Sequence, residues 1–231
     1  MKKVNLMGMC CILLTYWLST ATAQASELTF DIDGIGNGNV MPQEYGDNIT
    51  ALNMGDFHYG AAGGFTPNVM VSYADLSGNN ITYWKPGFND LLGVLNNEDD
   101  GEAGYSVTFT ADTGFEVSLL GFDLGNYGSA VTLPGLTITD GNDNILYSQL
   151  NFNVSASSAP HMGFDFSNIL AHEIKVHVDT TGLGGNSDNI GLDNIQFSQV
   201  ATVPVPAAIW LFGSGLLGLL SSGRNKTKDI A

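Results

Sequence analysis

The sequence predicts an all-β protein, an antiparallel β-sandwich of jelly-roll type, and three observations carry that prediction. Apolar and polar residues alternate over short runs along the chain, and clusters of Gly, Asn and Asp separate those runs. No stretch before residue 204 keeps helical periodicity for three turns. Ten or so strands spaced in this way imply two packed sheets.

Taken in chain order, the first element is a leader. Lys2 and Lys3 precede an apolar run from Val4 to Leu18, and Ala23-Gln24-Ala25 places small residues where signal peptidase reads. Residues 1–25 are therefore expected to be a signal peptide, cut after Ala25. Both cysteines, Cys10 and Cys11, fall inside it. The mature chain then has no disulfide and no thiol chemistry, and only its core or bound ions hold it together.

Residues 26–200 form the expected sandwich domain. Alternation predicts strands over 28–32, 48–54, 69–73, 81–84, 105–111, 115–123, 136–139, 145–150, 161–166, 173–179 and 190–198, with 91–96 a strand or a short helical turn. In Tyr105-Ser-Val-Thr-Phe-Thr110, Tyr105, Val107 and Phe109 share one face and Ser106, Thr108 and Thr110 the other, so that strand has one wet side. Asp140-Gly-Asn-Asp-Asn144 carries hairpin turn chemistry, and the stretch from Gly182 to Asp188 reads as a looser Gly-rich loop.

From Ser26 to Val203 only Lys85 and Lys175 are basic, against 22 Asp and Glu, a net charge of −20. Such a surface repels nucleic acid and anionic lipid, so neither is an expected partner of the domain. It suits divalent cations, neutral glycans or salty water, and acidity also serves solubility alone.

The last element is the most specific. Val203-Pro204-Val205-Pro206 leads into an uncharged apolar stretch from Ala207 to Ser222, followed by Arg224, Lys226 and Lys228. At about 1.5 Å per residue a helix over that stretch covers roughly 24 Å, a little under the ~30 Å hydrocarbon core, and the basic cluster stays in the cytoplasm. This tripartite order over residues 203–231 resembles the PEP-CTERM sorting signal of Gram-negative bacteria, with Val205 where the namesake motif has Glu. The resemblance implies an exosortase as partner, an inner-membrane intermediate, and delivery to the cell envelope or exterior, often beside exopolysaccharide. An ordinary C-terminal anchor that is never cut is the competing reading.

Candidate ligand-binding groups are of two kinds. Asp31 and Asp33 precede a flexible Gly-rich loop, an arrangement suited to a hard cation. It is no EF-hand, because position twelve of such a loop is Pro42 where a bidentate Glu is required. Asn189-Ile-Gly-Leu-Asp193-Asn194-Ile-Gln-Phe197 resembles the closing strand of many jelly-roll modules, carbohydrate-binding ones included. In several of these the matching Asp helps hold a structural calcium with acidic residues near the N-terminus. The resemblance implies Ca²⁺ between Asp193 and Glu27, Asp31 or Asp47, while a carboxylate that only accepts backbone amides at a strand bend is the alternative.

For glycans the useful side chains are exposed aromatics, which stack on sugar rings beside amides and carboxylates for the hydroxyls. Tyr83, Trp84, Phe88, Tyr127 and the run Phe57-His58-Tyr59 are available. Adjacent Tyr83 and Trp84 must point to opposite faces of one strand, one inward and one outward. Trp84 and Tyr127 are the expected platforms.

Catalytic patterns are absent from the sequence. There is no HExxH, no Gly-x-Ser-x-Gly and no mature cysteine, and the carboxylates of Glu98-Asp-Asp-Gly-Glu102 sit on one loop rather than on two rigid elements. The expectation is a non-catalytic exported protein associated with exopolysaccharide. A secreted glycan-active hydrolase or lyase is the alternative.

Overall fold

A computed structural model describes residues 24–60, 64–97 and 103–202. The expected leader up to residue 23, the Glu98–Glu102 run and the sorting segment with Val203, Pro204, Val205, Pro206, Arg224, Lys226 and Lys228 lie outside the described residues. No helix among the described residues is long and apolar enough to cross a membrane.

The described chain is β-structure with one 3-10 turn, Ser187–Asn189. Fourteen strands occur: β1 Ser26–Ile32, β2 Asn39–Val40, β3 Asn53–Met54, β4 Phe57–Tyr59, β5 Val69–Asp75, β6 Ile81–Trp84, β7 Val94–Asn97, β8 Tyr105–Ala111, β9 Phe115–Asn126, β10 Val131–Asp140, β11 Ile145–Val154, β12 Met162–Ala171, β13 Glu173–Asp179 and β14 Ile190–Ala201. They pair antiparallel in two sheets, a β-sandwich. The five-stranded sheet runs β11-β10-β13-β8-β5. The nine-stranded sheet runs β2-β6-β7-β14-β1-β4-β3, with β9 pairing both β14 and β12.

Register explains why the alternation buries one face. Tyr73, Val107, Val176, Ile138 and Tyr147 stand in one row across the smaller sheet, and Val71, Phe109 and Ile174 in the next. Between them Ser72, Thr108, Lys175 and Thr139 face outward, so every second residue of each strand avoids the core. The inward rows meet the larger sheet directly. Phe109 packs on Phe197 at 4.8 Å between ring centroids, and the Tyr105 hydroxyl donates to the Ile190 carbonyl at 3.1 Å. Where β11 and β12 close one side of the sandwich, Tyr147 and Phe152 pack against Phe164.

Regular pairing breaks at several places in the larger sheet, two of them in the strands that meet at its centre. Phe30 sits at φ 50° in mid-β1, a conformation costly for a bulky residue, and its N–H donates to the buried Tyr45 hydroxyl at 2.9 Å. That hydroxyl in turn donates to the His58 carbonyl at 3.0 Å. In β14, Asn194 at φ 48° marks a bulge that shifts the register against β9.

The predicted strand over 48–54 is corrected. Asn48 takes φ 48°, Ile49 makes a single bridge to Thr66, and only Asn53–Met54 pairs as a strand. The preceding turn instead caps the free edge of β5. Asp47 Oδ1 accepts from Val71 N at 2.7 Å, Gln43 Oε1 from Tyr73 N at 3.3 Å, and the Val69 carbonyl from Asn48 N at 2.8 Å. An edge supplied with side-chain acceptors is closed to further strands.

Candidate functional site

Tyr83 and Trp84 divide as strand geometry demands: Tyr83 is wholly buried, whereas Trp84 points out of the nine-stranded sheet and is half-buried. Its neighbour there is Tyr127, just past the end of β9 and 46% exposed, with ring centroids 6.0 Å apart and planes at 75°. Phe88 completes the group, 5.5 Å from Tyr127. The structure thus brings together the two aromatics expected to bind glycan and adds a third.

Glycines place that third ring. Gly191 of β14 lies directly opposite Gly125 of β9, which strips side chains from one patch of the outer face. The loop after β6 folds onto the patch, and Phe88, Leu91 and Val94 bury themselves there with Trp84 against them, a small apolar cluster separate from the main core. A Cβ at Gly191 would lie 2.6 Å from Val94 Cγ2, and one at Gly125 would lie 2.8 Å from Leu91 Cδ1, so neither position admits a side chain. Gly87, at φ 129°, runs beneath the Tyr127 ring, where a Cβ would meet Cε2 at 2.6 Å.

Asparagines fasten the loops around these rings. Asn126 Nδ2 donates to the Ser129 and Ser155 carbonyls, and its N–H donates to Asn89 Oδ1 at 2.7 Å. Asn89 Nδ2 donates to the Ala156 and Ala159 carbonyls, each at 2.8 Å. Asn96 Nδ2 donates to the Asp188 carbonyl at 3.0 Å, and the Asn189 carbonyl accepts from Tyr127 N at 2.9 Å. The outcome is a small cleft, open to solvent and lined by Trp84, Phe88, Tyr127, Asn96, Asp188 and Asn189. Apolar rings beside amides and one carboxylate suit the C–H faces and hydroxyls of a sugar.

The carboxylates expected around calcium are divided among three places. Asp47 caps the edge of β5. Asp33 Oδ2 pairs with His58 Nε2 at 2.9 Å. Glu27, Asp31 and Asp193 lie on the adjacent strands β1 and β14, where Glu27 Oε1 accepts from Gln196 Nε2 at 2.8 Å. The residue facing Asp193 is Asp123 of β9. Asn194, at the bulge, donates its backbone N–H to Asp193 Oδ1 at 2.7 Å and its amide to Asp123 Oδ2 at 2.8 Å. Among the described residues, no three His, Cys, Asp or Glu side chains come together as metal ligands.

Asp193 is only 2% exposed. Burial, opposed by the Asn194 N–H and reinforced by the charges of Asp123, Asp31 and Glu27, pushes its carboxyl up to about 8.

Sequence reasoning reached Trp84 and Tyr127 but not the seat of Phe88 or the amide rim. The signal was present, since glycines inside strands mark a close approach of other chain. Of the remaining aromatics, Tyr59 is buried and Phe57 packs edge-on to Tyr45, so these two serve the interior while His58 between them turns out to Asp33.

No protein-family model matches the chain, and no curated protein matches it. Two solved structures superpose loosely. CBM32-3 from a family 31 glycoside hydrolase of Clostridium perfringens is 11% identical over 74% of this chain and 94% of that one, with a TM-score of 0.30. The enzymatically active domain of tailspike protein 4 of bacteriophage CBA120 is 16% identical over 70% of this chain and 21% of that one, with a TM-score of 0.28. Likeness at this level bears on neither ligand nor activity, and the sandwich architecture rests on the strand pairing itself.

Proposed function

We propose that this chain is a non-catalytic exported protein of the cell envelope or extracellular matrix, a jelly-roll sandwich that associates with exopolysaccharide through its aromatic cleft. A leader removed by signal peptidase takes it across the inner membrane. The segment from Val203 to Ala231, which resembles a PEP-CTERM signal, holds it there until an exosortase releases it.

The observation that carries this reading is the convergence of Trp84 and Phe88, from β6 and the loop after it, with Tyr127, from the end of β9, onto one solvent-open cleft. Among the described residues, Asp188 is the one carboxylate in its lining, and glycoside hydrolysis in its usual form uses two. The position of the cleft also supports a tethered binder. It lies where β9 ends and β14 begins, whereas β14 ends at Ala201, where Thr202 N donates to the Gly114 carbonyl. Eleven residue steps at ~3.3 Å separate the two ends of β14 by about 35 Å. A chain anchored by its C-terminus would therefore present the cleft away from the membrane.

The test is to incubate the purified protein with the host's own exopolysaccharide and follow both retention and chain length. Retention without shortening is expected. Shortening would replace binding by hydrolysis or lysis, and a polysaccharide neither retained nor shortened would refute the carbohydrate role. Sorting is tested separately, by a chain that stops before Ala207: it should no longer be held at the inner membrane, and unchanged retention and delivery would refute the signal.

A further inference from the structure

The loop that walls the aromatic cleft has a second side. Phe88 turns toward the glycine patch, while the next two residues, Asn89 and Asp90, line a separate shallow cleft, widely open to solvent, with Ser157, Ser158, Ala159 and Pro160. This second cleft has no aromatic ring. Its surface is hydroxyl, amide, carboxylate and small apolar groups.

The wall between the two clefts is one layer of chain. Asn89 N donates to the Asn126 carbonyl at 3.2 Å, and Ser157 N donates to the Gly128 carbonyl at 2.9 Å, so the residues flanking Tyr127 touch the residues that line the second cleft. Asp90 is held in a fixed pose. Its Oδ1 accepts the His161 backbone N–H at 2.9 Å and lies 2.9 Å from the ring Nδ1, while His161 Nε2 reaches Asp123 Oδ1 at 3.4 Å. The bonds from His161 keep the Asp90 carboxyl below the usual carboxylate range. Its side chain is nonetheless 59% exposed, which leaves acceptor capacity toward solvent.

We propose that a neutral oligosaccharide of at least two units crosses the single layer of chain between the two clefts and uses them together as one extended groove, with one sugar ring on Trp84 and Tyr127 and the hydroxyls of the next on Asp90 and the Ser157–Ser158 turn. This rests on reading the aromatic cleft as a glycan site. A positioned carboxylate accepts two neighbouring hydroxyls strongly and selects them over an anionic group. Neither described lysine relieves the selection: Lys175 is on β13 of the other sheet, and Lys85 holds its ammonium 5.9 Å from the Tyr83 ring centroid. Uronic-acid chains are therefore disfavoured at the second cleft.

The test uses the full-length chain purified in mild detergent, with calorimetric titration of neutral exopolysaccharide fragments fractionated by length and an oligogalacturonate as the anionic control. Affinity should rise about tenfold or more from one sugar unit to two or three, and the anionic control should not bind. Asp90→Ala should return the longer fragments to single-unit affinity and leave the single unit unchanged. Ser158→Phe, which fills the second cleft without touching the His161 bonds, should do the same. Tyr127→Ala should remove binding at every length. Affinity independent of length, or unaffected by Asp90→Ala and Ser158→Phe while still lost in Tyr127→Ala, overturns the extended groove and leaves the aromatic cleft standing. No binding by the unaltered chain at any length overturns both.

Discussion

Asp193→Asn should make the sandwich more stable, by an amount that grows as pH rises from about 4 to about 8. The unfolded chain releases this proton near 4, while the folded chain, with the carboxyl raised to about 8, keeps it. Between those values the native state binds more protons than the unfolded one. Stability therefore falls as pH rises from about 4 to about 8, and is flat with respect to this group outside that window. A shift of about four units at ~1.4 kcal/mol each sets a ceiling of roughly 5 kcal/mol, which relaxation and entering water reduce to about 2 to 3 kcal/mol. Asn keeps an oxygen for the Asn194 N–H, a bond of 2.7 Å, and removes the charge that faces Asp123.

For a domain of this size, ~2–4 °C per kcal/mol gives a rise in Tm of about 5–10 °C at pH 8.5. The gain should shrink to about 1 °C at pH 4, where the native carboxyl is already neutral. Scanning calorimetry of both proteins from pH 4 to 9, with EDTA present, reads the difference directly. A gap of constant size across that range, or a less stable variant at pH 8.5, would refute the assignment of this buried charge.

With its carboxylates divided among three places, the sandwich should melt at the same temperature, within about 1 °C, with and without chelator, and a fall of several degrees would reveal a held cation. Gly87→Ala forces a side chain into the Tyr127 ring at a φ of 129°, and should cost about 1–3 kcal/mol while making tyrosine fluorescence easier to quench with acrylamide. An unchanged urea midpoint with unchanged quenching would contradict the packing. Tyr45→Phe strands the Phe30 N–H inside the core and should cost about 1–3 kcal/mol by urea unfolding, with a loss under about 0.5 kcal/mol counting against it.

Much of the architecture was legible because uninterrupted alternation needs no tertiary information. The predicted strands over 81–84, 105–111 and 173–179 coincide with β6, β8 and β13. Elsewhere long-range contacts decided. β12 runs on past the predicted end at Phe166 to Ala171, because a register shift between Asp165 and Ile169 absorbs the residues between. The segment 48–54 alternates like a strand, yet its neighbours are committed to the edge of β5. β2 and β4 are too short to show a period at all.

The candidate site divides in the same way. Trp84 was readable from its adjacency to Tyr83, a purely local argument. The seat of Phe88 required knowing that Gly125 and Gly191 stand opposite each other, which is a property of the β9–β14 register and not of either segment. The same register sets Asp123 against Asp193, a neighbour the sequence did not offer, while of the expected acidic partners Glu27 and Asp31 lie on the adjacent β1 and Asp47 lies elsewhere, at the edge of β5. Local alternation finds strands, whereas the site is built by pairing between strands remote in the chain.

The central claim is that the cleft of Trp84 and Tyr127 holds the protein on a carbohydrate without cutting it. The most direct measurement compares the unaltered chain with the Trp84→Ala/Tyr127→Ala double variant on immobilised exopolysaccharide of the host. Tm is measured alongside, to show that both proteins are folded. The unaltered chain should be retained and the polysaccharide left at full length, while the variant, melting within a few degrees of it, should wash through. Equal retention of the two, or shortening of the polysaccharide by either, would contradict the claim.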